Sequence, residues 1–191
     1  AMLALSPSAF LALADARRTR FPRALLALAT HDHKRGPDAR MRLAVLSAWP
    51  EAWRAALAQW QTGCLHAGRV IPLPGAQAYL LWQTLVASWP LDIHAENEAF
   101  AGRVAQWLRK ALREGKQISS WSDPDNGLED AACEWVRWLC CDVESQPVRD
   151  QMRDFLAAVA AAGARLSLSQ LALQLTCPGV PDIYQGRDRK S

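Results

Sequence analysis

Long apolar runs, paired cysteines and a charge of one sign are all missing from this sequence. No unbroken apolar stretch approaches the roughly 20 residues that cross a bilayer, so no spanning segment is expected. No charged-then-apolar leader opens the chain. The five cysteines form no C-x-x-C pair: Cys140 and Cys141 are adjacent, Cys133 lies seven residues earlier, and Cys64 and Cys177 stand alone. That pattern argues against a disulfide scaffold and a zinc site, and fits a reducing cytoplasm. The net charge of +3 is small for 191 residues and gives no electrostatic case for nucleic acid or an anionic membrane. G-x-G-x-x-G, P-loop, H-E-x-x-H and G-x-S-x-G signatures are absent, which removes the common nucleotide, zincin and hydrolase readings.

What is present is ordinary globular material. Half of the residues are apolar and 21% are charged, enough for a real core in one domain or a domain and a half. Tryptophan is the exception, with nine against two tyrosines and four phenylalanines. Indole buries a large apolar area and fits core packing. It also fits stacking on a sugar ring, and composition leaves both open.

Periodicity predicts a mainly helical chain. Ser6-Pro7 reads as a helix start, with a hydroxyl cap and Pro at the first position, and Phe21-Pro22 ends that helix. Residues 24–30 form a short apolar run that suits a strand buried on both faces, although its Ala and Leu content is also helix-friendly. Helices are expected over 38–48, 51–61 and 77–89, with 63–75 as a loop. Residues 95–116 carry the clearest amphipathic stripe: Phe100, Val104, Trp107, Leu108, Ala111 and Leu112. Further helices are expected at 128–143, 147–162 and 166–175, the last two separated at Gly163. Residues 180–184 read as a second short strand. Two lone strands roughly 150 residues apart make no useful sheet by themselves.

One run has the look of a site: His31-Asp32-His33-Lys34-Arg35, directly after the apolar stretch. Barrel enzymes place their chemistry at the C-terminal ends of buried parallel strands. Asp32 could stabilise developing positive charge, His31 could bond a substrate hydroxyl, and Lys34 and Arg35 could bind hydroxyls or phosphate. A capping Asp in a solvated charge run explains the same residues. His31 and His33 could also supply two metal ligands, but His66 and His94 are the only other histidines and sit in loop or helix-start contexts. The loop Ser119-Ser120-Trp121-Ser122-Asp123-Pro124 is either a plain linker or a sugar contact.

Three segments carry a family resemblance. Residues 29–35, followed by Asp38, Arg40, Arg42-Leu43 and Val45-Leu46-Ser47, resemble the T-H-D-T-K-R-S-E-D-V-R-A-R segment of maltooligosyltrehalose synthases. Tyr79-Leu80-Leu81-Trp82-Gln83-Thr84-Leu85-Val86, ending in Trp89-Pro90-Leu91, resembles their Y-L-L-Y-Q-T-L…W-P-L helix. Pro178-Gly179-Val180-Pro181-Asp182-Ile183-Tyr184-Gln185-Gly186 resembles their P-G-V-P-D-I-Y-Q-G. Lys110-Ala111-Leu112-Arg113-Glu114, Ser120-Trp121 and Pro124-Asp125 fit the family's linking stretch. The match covers almost the whole chain, in order.

That family belongs to the α-amylase superfamily of retaining (β/α)₈-barrel enzymes. Its members convert the reducing-end α-1,4 bond of a maltooligosaccharide to an α,α-1,1 bond. The resemblance implies that the two strands are barrel strands seven and eight, bracketing a helical insertion in a barrel that this chain leaves incomplete. It divides the chain into 1–35 (helix plus strand seven), 36–165 (helical insertion) and 166–191 (helix plus strand eight, truncated). Both ends read as the edges of a piece of something longer.

By the same resemblance Asp32 is the transition-state carboxylate. His31, Lys34, Arg35, Tyr184 and Gln185 bind substrate, and no metal or cofactor is implied. The nucleophile and the acid/base would lie on strands four and five, before Ala1, so this chain alone is expected to be inactive. The expected partners are a maltooligosaccharide, the remainder of the barrel and a maltooligosyltrehalose hydrolase in the pathway, with self-association of the piece; nucleic acid and membrane are not expected. His33 replaces the family's usual Thr, Gly36-Pro37 its Ser-Glu, and Arg187-Asp188 its Thr-Glu type continuation. A non-catalytic helical interaction module is the alternative reading. A metal hydrolase built on His31 and His33 is a third.

Overall fold

Helices account for most of the chain, as the apolar spacing predicts. A computed structural model describes residues 5–31, 33–90 and 93–184, without the side chains of 93–96. In chain order the elements are α1 (Pro7–Arg20), β1 (Leu25–Ala27), α2 (Pro37–Ala48), α3 (Pro50–His66), α4 (Gly75–Ser88), α5 (Ile93–Gly115), α6 (Asn126–Cys141), a short 3₁₀ turn (Val143–Ser145), α7 (Gln146–Thr176) and β2 (Val180–Asp182). Two compact units emerge, one made of 1–41 with 164–191 and the other of 42–163. The division falls within α2 and α7.

The 42–163 unit holds the core, and tryptophan builds it. Trp53, Trp60, Trp82, Trp89, Trp135 and Trp138 are all buried. A chain of ring contacts links α3, α4 and α6: Trp53 to Trp60 at 5.8 Å, Trp60 to Trp82 at 5.6 Å, Trp82 to Trp135 at 5.4 Å and Trp135 to Trp138 at 6.0 Å. The Trp53 indole N–H donates to the Tyr79 hydroxyl at 2.9 Å. For these six rings the composition question is answered as packing. Edge-on and tilted pairs of this kind add about 1 kcal/mol each beyond their buried area. Helix α5 lies along α6, with Phe100, Val104, Leu108 and Leu112 in the same core as Ala132, Val136 and Leu139.

Several sequence expectations need correction. Gly163 does not divide residues 147–175 into two helices, because α7 runs unbroken from Gln146 to Thr176. Its glycine serves close approach instead: a Cβ there would lie 2.8 Å from Arg42 Cγ and 3.2 Å from Arg42 Cα. Gly63 likewise lies inside α3, where a Cβ would meet Val148 Cγ2 at 3.1 Å, so the expected loop begins only after His66. At these two positions glycine marks helix contacts rather than helix ends. Residues 24–30 yield a strand of only three residues, and its burial pattern is exposed on two of them, not buried on both faces.

One helix bears on the expectation that no segment spans a membrane. Residues Val143–Thr176 are long and apolar enough to cross a membrane by length and composition, with a window hydropathy of 1.4. In this fold the N-terminal half of α7 spends that apolar content on the core, through Val148, Met152, Leu156 and Val159.

Gly163 offers a test whose sign discriminates. Gly→Ala at an unencumbered helix interior stabilises by about 1 kcal/mol. Against Arg42 the added methyl is expected to destabilise by about 1 kcal/mol or more, seen as a lower urea midpoint at unchanged m. A raised midpoint would contradict the close approach.

Candidate functional site

The two strands pair in parallel, with Leu25 opposite Val180, Leu26 opposite Pro181 and Ala27 opposite Asp182. A three-residue parallel pair is weak, and Pro181 brings no N–H to it. Two features compensate. Gly179, at φ 141°, lets the chain come so close to β1 that a Cβ would lie 2.7 Å from the Ala24 carbonyl oxygen. The next residue, Val180, donates its N–H to that same oxygen at 2.9 Å.

The second feature is Gln174, 6% exposed near the end of α7. Its side-chain Nε2 donates to the Leu26 carbonyl at 2.6 Å and to the Asp182 carbonyl at 2.9 Å. One amide thus ties both strands. Sequence reading missed it; the only signal was a polar residue set between Leu173 and Leu175 in an otherwise apolar turn.

Parallel pairing sends both chains off the same end of the ladder. His31, Lys34 and Arg35 follow β1 in sequence, and Tyr184 follows β2. His31 and Lys34 are exposed, Arg35 is half-buried, and Tyr184 is 40% exposed. Burial holds the Arg35 guanidinium below its ordinary pKa. Arg40 on α2 donates to the Leu28 carbonyl and so braces the segment that leaves β1. Asp32 and Gln185 lie outside the described residues, as do Arg187 and Asp188 and the side chain of His94. Among the described residues no group of three or more His, Cys, Asp or Glu could hold a metal ion.

The 42–163 unit contains a second polar constellation. Glu129 is fully buried on α6, an expensive place for a carboxylate unless it is paired. Arg113 meets it with Nε at 2.9 Å and Nη2 at 2.7 Å, Arg109 lies at 3.4 Å, and the Ser119 hydroxyl donates to it. The Arg113 hydrogen bonds, aided by Ser119, hold the Glu129 carboxyl below the usual carboxylate range. Trp121, 61% exposed, sits with its ring 5.1 Å from the Arg113 guanidinium. Ser119 also receives the Asp125 N–H at 3.2 Å. The loop containing Trp121 is therefore anchored on a buried ion pair.

Comparison with known proteins agrees with the motif resemblance. A Mycobacterium tuberculosis protein named as a maltooligosyl trehalose synthase is 32% identical over 176 residues, which is 92% of this chain and 21% of that protein. This chain is similar to one stretch of maltooligosyltrehalose synthases. Among solved structures, the maltooligosyltrehalose synthase from Arthrobacter ramosus superposes with a TM-score of 0.77 at 30% identity, covering 96% of this chain and 22% of that one. The Sulfolobus tokodaii hypothetical maltooligosyl trehalose synthase gives 0.71 at 27% identity, over 84% of this chain and 21% of that one. The chain thus spans about a fifth of the relatives it matches. No protein-family model matches it.

Two tests follow from the geometry. Gln174→Leu leaves two strand carbonyls without their donor, a loss of about 1 kcal/mol for each. Amide exchange at Val180 is expected to accelerate while core amides such as Leu85 keep their protection. Equal protection at Val180 in both proteins would remove the clip role. For Glu129 the folded pKa is depressed, so its pairing adds stability above the ordinary carboxylate range. That stability is lost as pH falls through the lowered folded value. Glu129→Gln is expected to lower Tm at neutral pH, with the difference from the unaltered chain narrowing in strong acid. A difference constant with pH would show that the ionised carboxylate is not the stabilising form.

Proposed function

We propose that this chain is a segment of a maltooligosyltrehalose synthase, carrying one part of the active site of an intramolecular transglycosylase. The observation that supports this best is the identity of about 30% sustained over 92% to 96% of the chain. The H-D-x-K-R run follows the first of the two parallel strands in sequence, and the P-G-V-P-D-I-Y-Q-G run contains the second. In this reading β1 and β2 are the seventh and eighth strands of a (β/α)₈ barrel, and the helices between them are an insertion. Leu25 at 65%, Val180 at 45% and Ile183 at 59% exposure fit a strand pair that other strands cover.

The reaction is an isomerisation by retention. A carboxylate elsewhere in the enzyme attacks the anomeric carbon of the penultimate glucose, and a carboxylic acid protonates the departing glycosidic oxygen. The two groups stand about 5 Å apart in such enzymes. The freed glucose stays in place and turns. Its anomeric hydroxyl then attacks the glycosyl-enzyme bond while the acid/base removes its proton, giving the α,α-1,1 linkage.

Asp32 supports the positive charge that develops on the ring and bonds its hydroxyls, with His31 holding the same sugar. Lys34, Arg35, Tyr184 and Gln185 contact the substrate. The pathway is trehalose biosynthesis in the cytoplasm, and the product is a substrate for a hydrolase that releases trehalose.

Asp32→Asn in the intact enzyme keeps the hydrogen-bonding shape and removes the charge. Turnover of maltopentaose is expected to fall by about a thousandfold or more, while the ground-state affinity for maltopentaose changes by less than about tenfold. Retention of wild-type turnover would overturn the assignment of Asp32.

A further inference from the structure

Thr30 and His33 are tied to each other twice. The His33 N–H donates to the Thr30 carbonyl at 3.1 Å. In return the Thr30 N–H donates to His33 Nδ1 at 2.9 Å. The arrangement resembles the reciprocal capping box, in which a side chain reaches back to the backbone N–H three residues earlier.

A backbone N–H can only donate, so Nδ1 must be the acceptor and the ring proton must sit on Nε2. The Thr30 hydroxyl, 3.0 Å from the same nitrogen, then also acts as a donor to it. His31 and Asp32, the pair to which the proposed function gives the sugar ring, stand between Thr30 and His33 in sequence, and α2, which follows, is held to β1's exit by Arg40.

We propose that His33 is a positioning residue: by accepting from the Thr30 N–H, its Nδ1 fixes the backbone that presents His31. The kinetic half of this inference rests on the function proposed above; the structural half does not. His33 stands where the resembling family carries Thr. That side chain ends one bond short of the position Nδ1 occupies, so the lock is a property of this chain's own residue.

Side-chain geometry supplies the test. Asn places Oδ1 two bonds beyond Cβ, where His has Nδ1. Gln places its oxygen one bond further out, and Leu offers no acceptor. In the chain itself, nitrogen-proton correlation of the imidazoles is expected to find His33 in the Nε2–H form. The Thr30 amide is expected to exchange about fivefold faster in His33→Leu but not in His33→Asn. An Nδ1–H ring at His33, or a Thr30 amide indifferent to His33→Leu, would overturn the lock.

In the intact enzyme with maltopentaose, His33→Leu and His33→Gln are expected to lower kcat about tenfold or more with KM changed less. His33→Asn is expected to stay within about threefold. Equal kcat in the Leu, Gln and Asn variants would overturn the positioning role. If the unaltered enzyme made no α,α-1,1 product, the proposed function would fail, and the nitrogen and exchange measurements would still decide the role of the ring.

Discussion

The pairing of Leu25–Ala27 with Val180–Asp182 is the constraint on which the site depends. It joins segments about 150 residues apart, and closing a flexible loop of that length costs about 4 kcal/mol. A ladder of three residues a side, one of them Pro181, returns about 1 kcal/mol per hydrogen bond. The ladder does not outweigh closure by itself. Hence the importance of the two features that bind it from outside: the Gly179 approach to the Ala24 carbonyl and the Gln174 amide shared between Leu26 and Asp182. Each is a close, specific contact rather than an area of apolar burial.

The segment between the strands answers to different physics. Residues 42–163 are continuous in sequence and carry their own core of indole rings, so their stability comes from burial and ring packing. The Glu129 carboxylate in that unit is fully buried and held ionised by Arg113 and Ser119. Truncating Arg113 would leave the buried carboxylate without its principal counterion, the usual reason such pairs matter more when broken than when formed. The same ion pair fixes the base of the loop that exposes Trp121.

Much of the fold was legible because helices announce themselves by spacing. The Phe100–Val104–Leu108–Leu112 stripe and the Ser6-Pro7 start read correctly from residues alone, as did the position of the two strands. Glycine misled at Gly63 and Gly163, since a sequence cannot show whether a missing Cβ frees the backbone or admits a neighbour. At the strand ends, the run from His31 to Arg35 stood out as polar groups after an apolar stretch, whereas Tyr184 was singled out only by the family resemblance. Gln174 was not, because nothing local distinguishes a buried amide that donates to two carbonyls from a solvated one on a helix. The lock between His33 and Thr30 was hidden for a related reason: the ring looked like half a metal site until its partner was seen to be a backbone N–H.

The central claim is that the strand-end residues of this chain are one part of a larger transglycosylating site. Its most direct measurement is the product formed from maltopentaose, followed by carbon NMR of the anomeric region. One arm uses the 191-residue chain and the other the polypeptide that also bears the nucleophile and acid/base. The account expects an α,α-1,1 linkage, with loss of the reducing end, from the larger polypeptide and no change from the chain alone. An α,α-1,1 product from the chain alone, or none from the larger polypeptide, would contradict it.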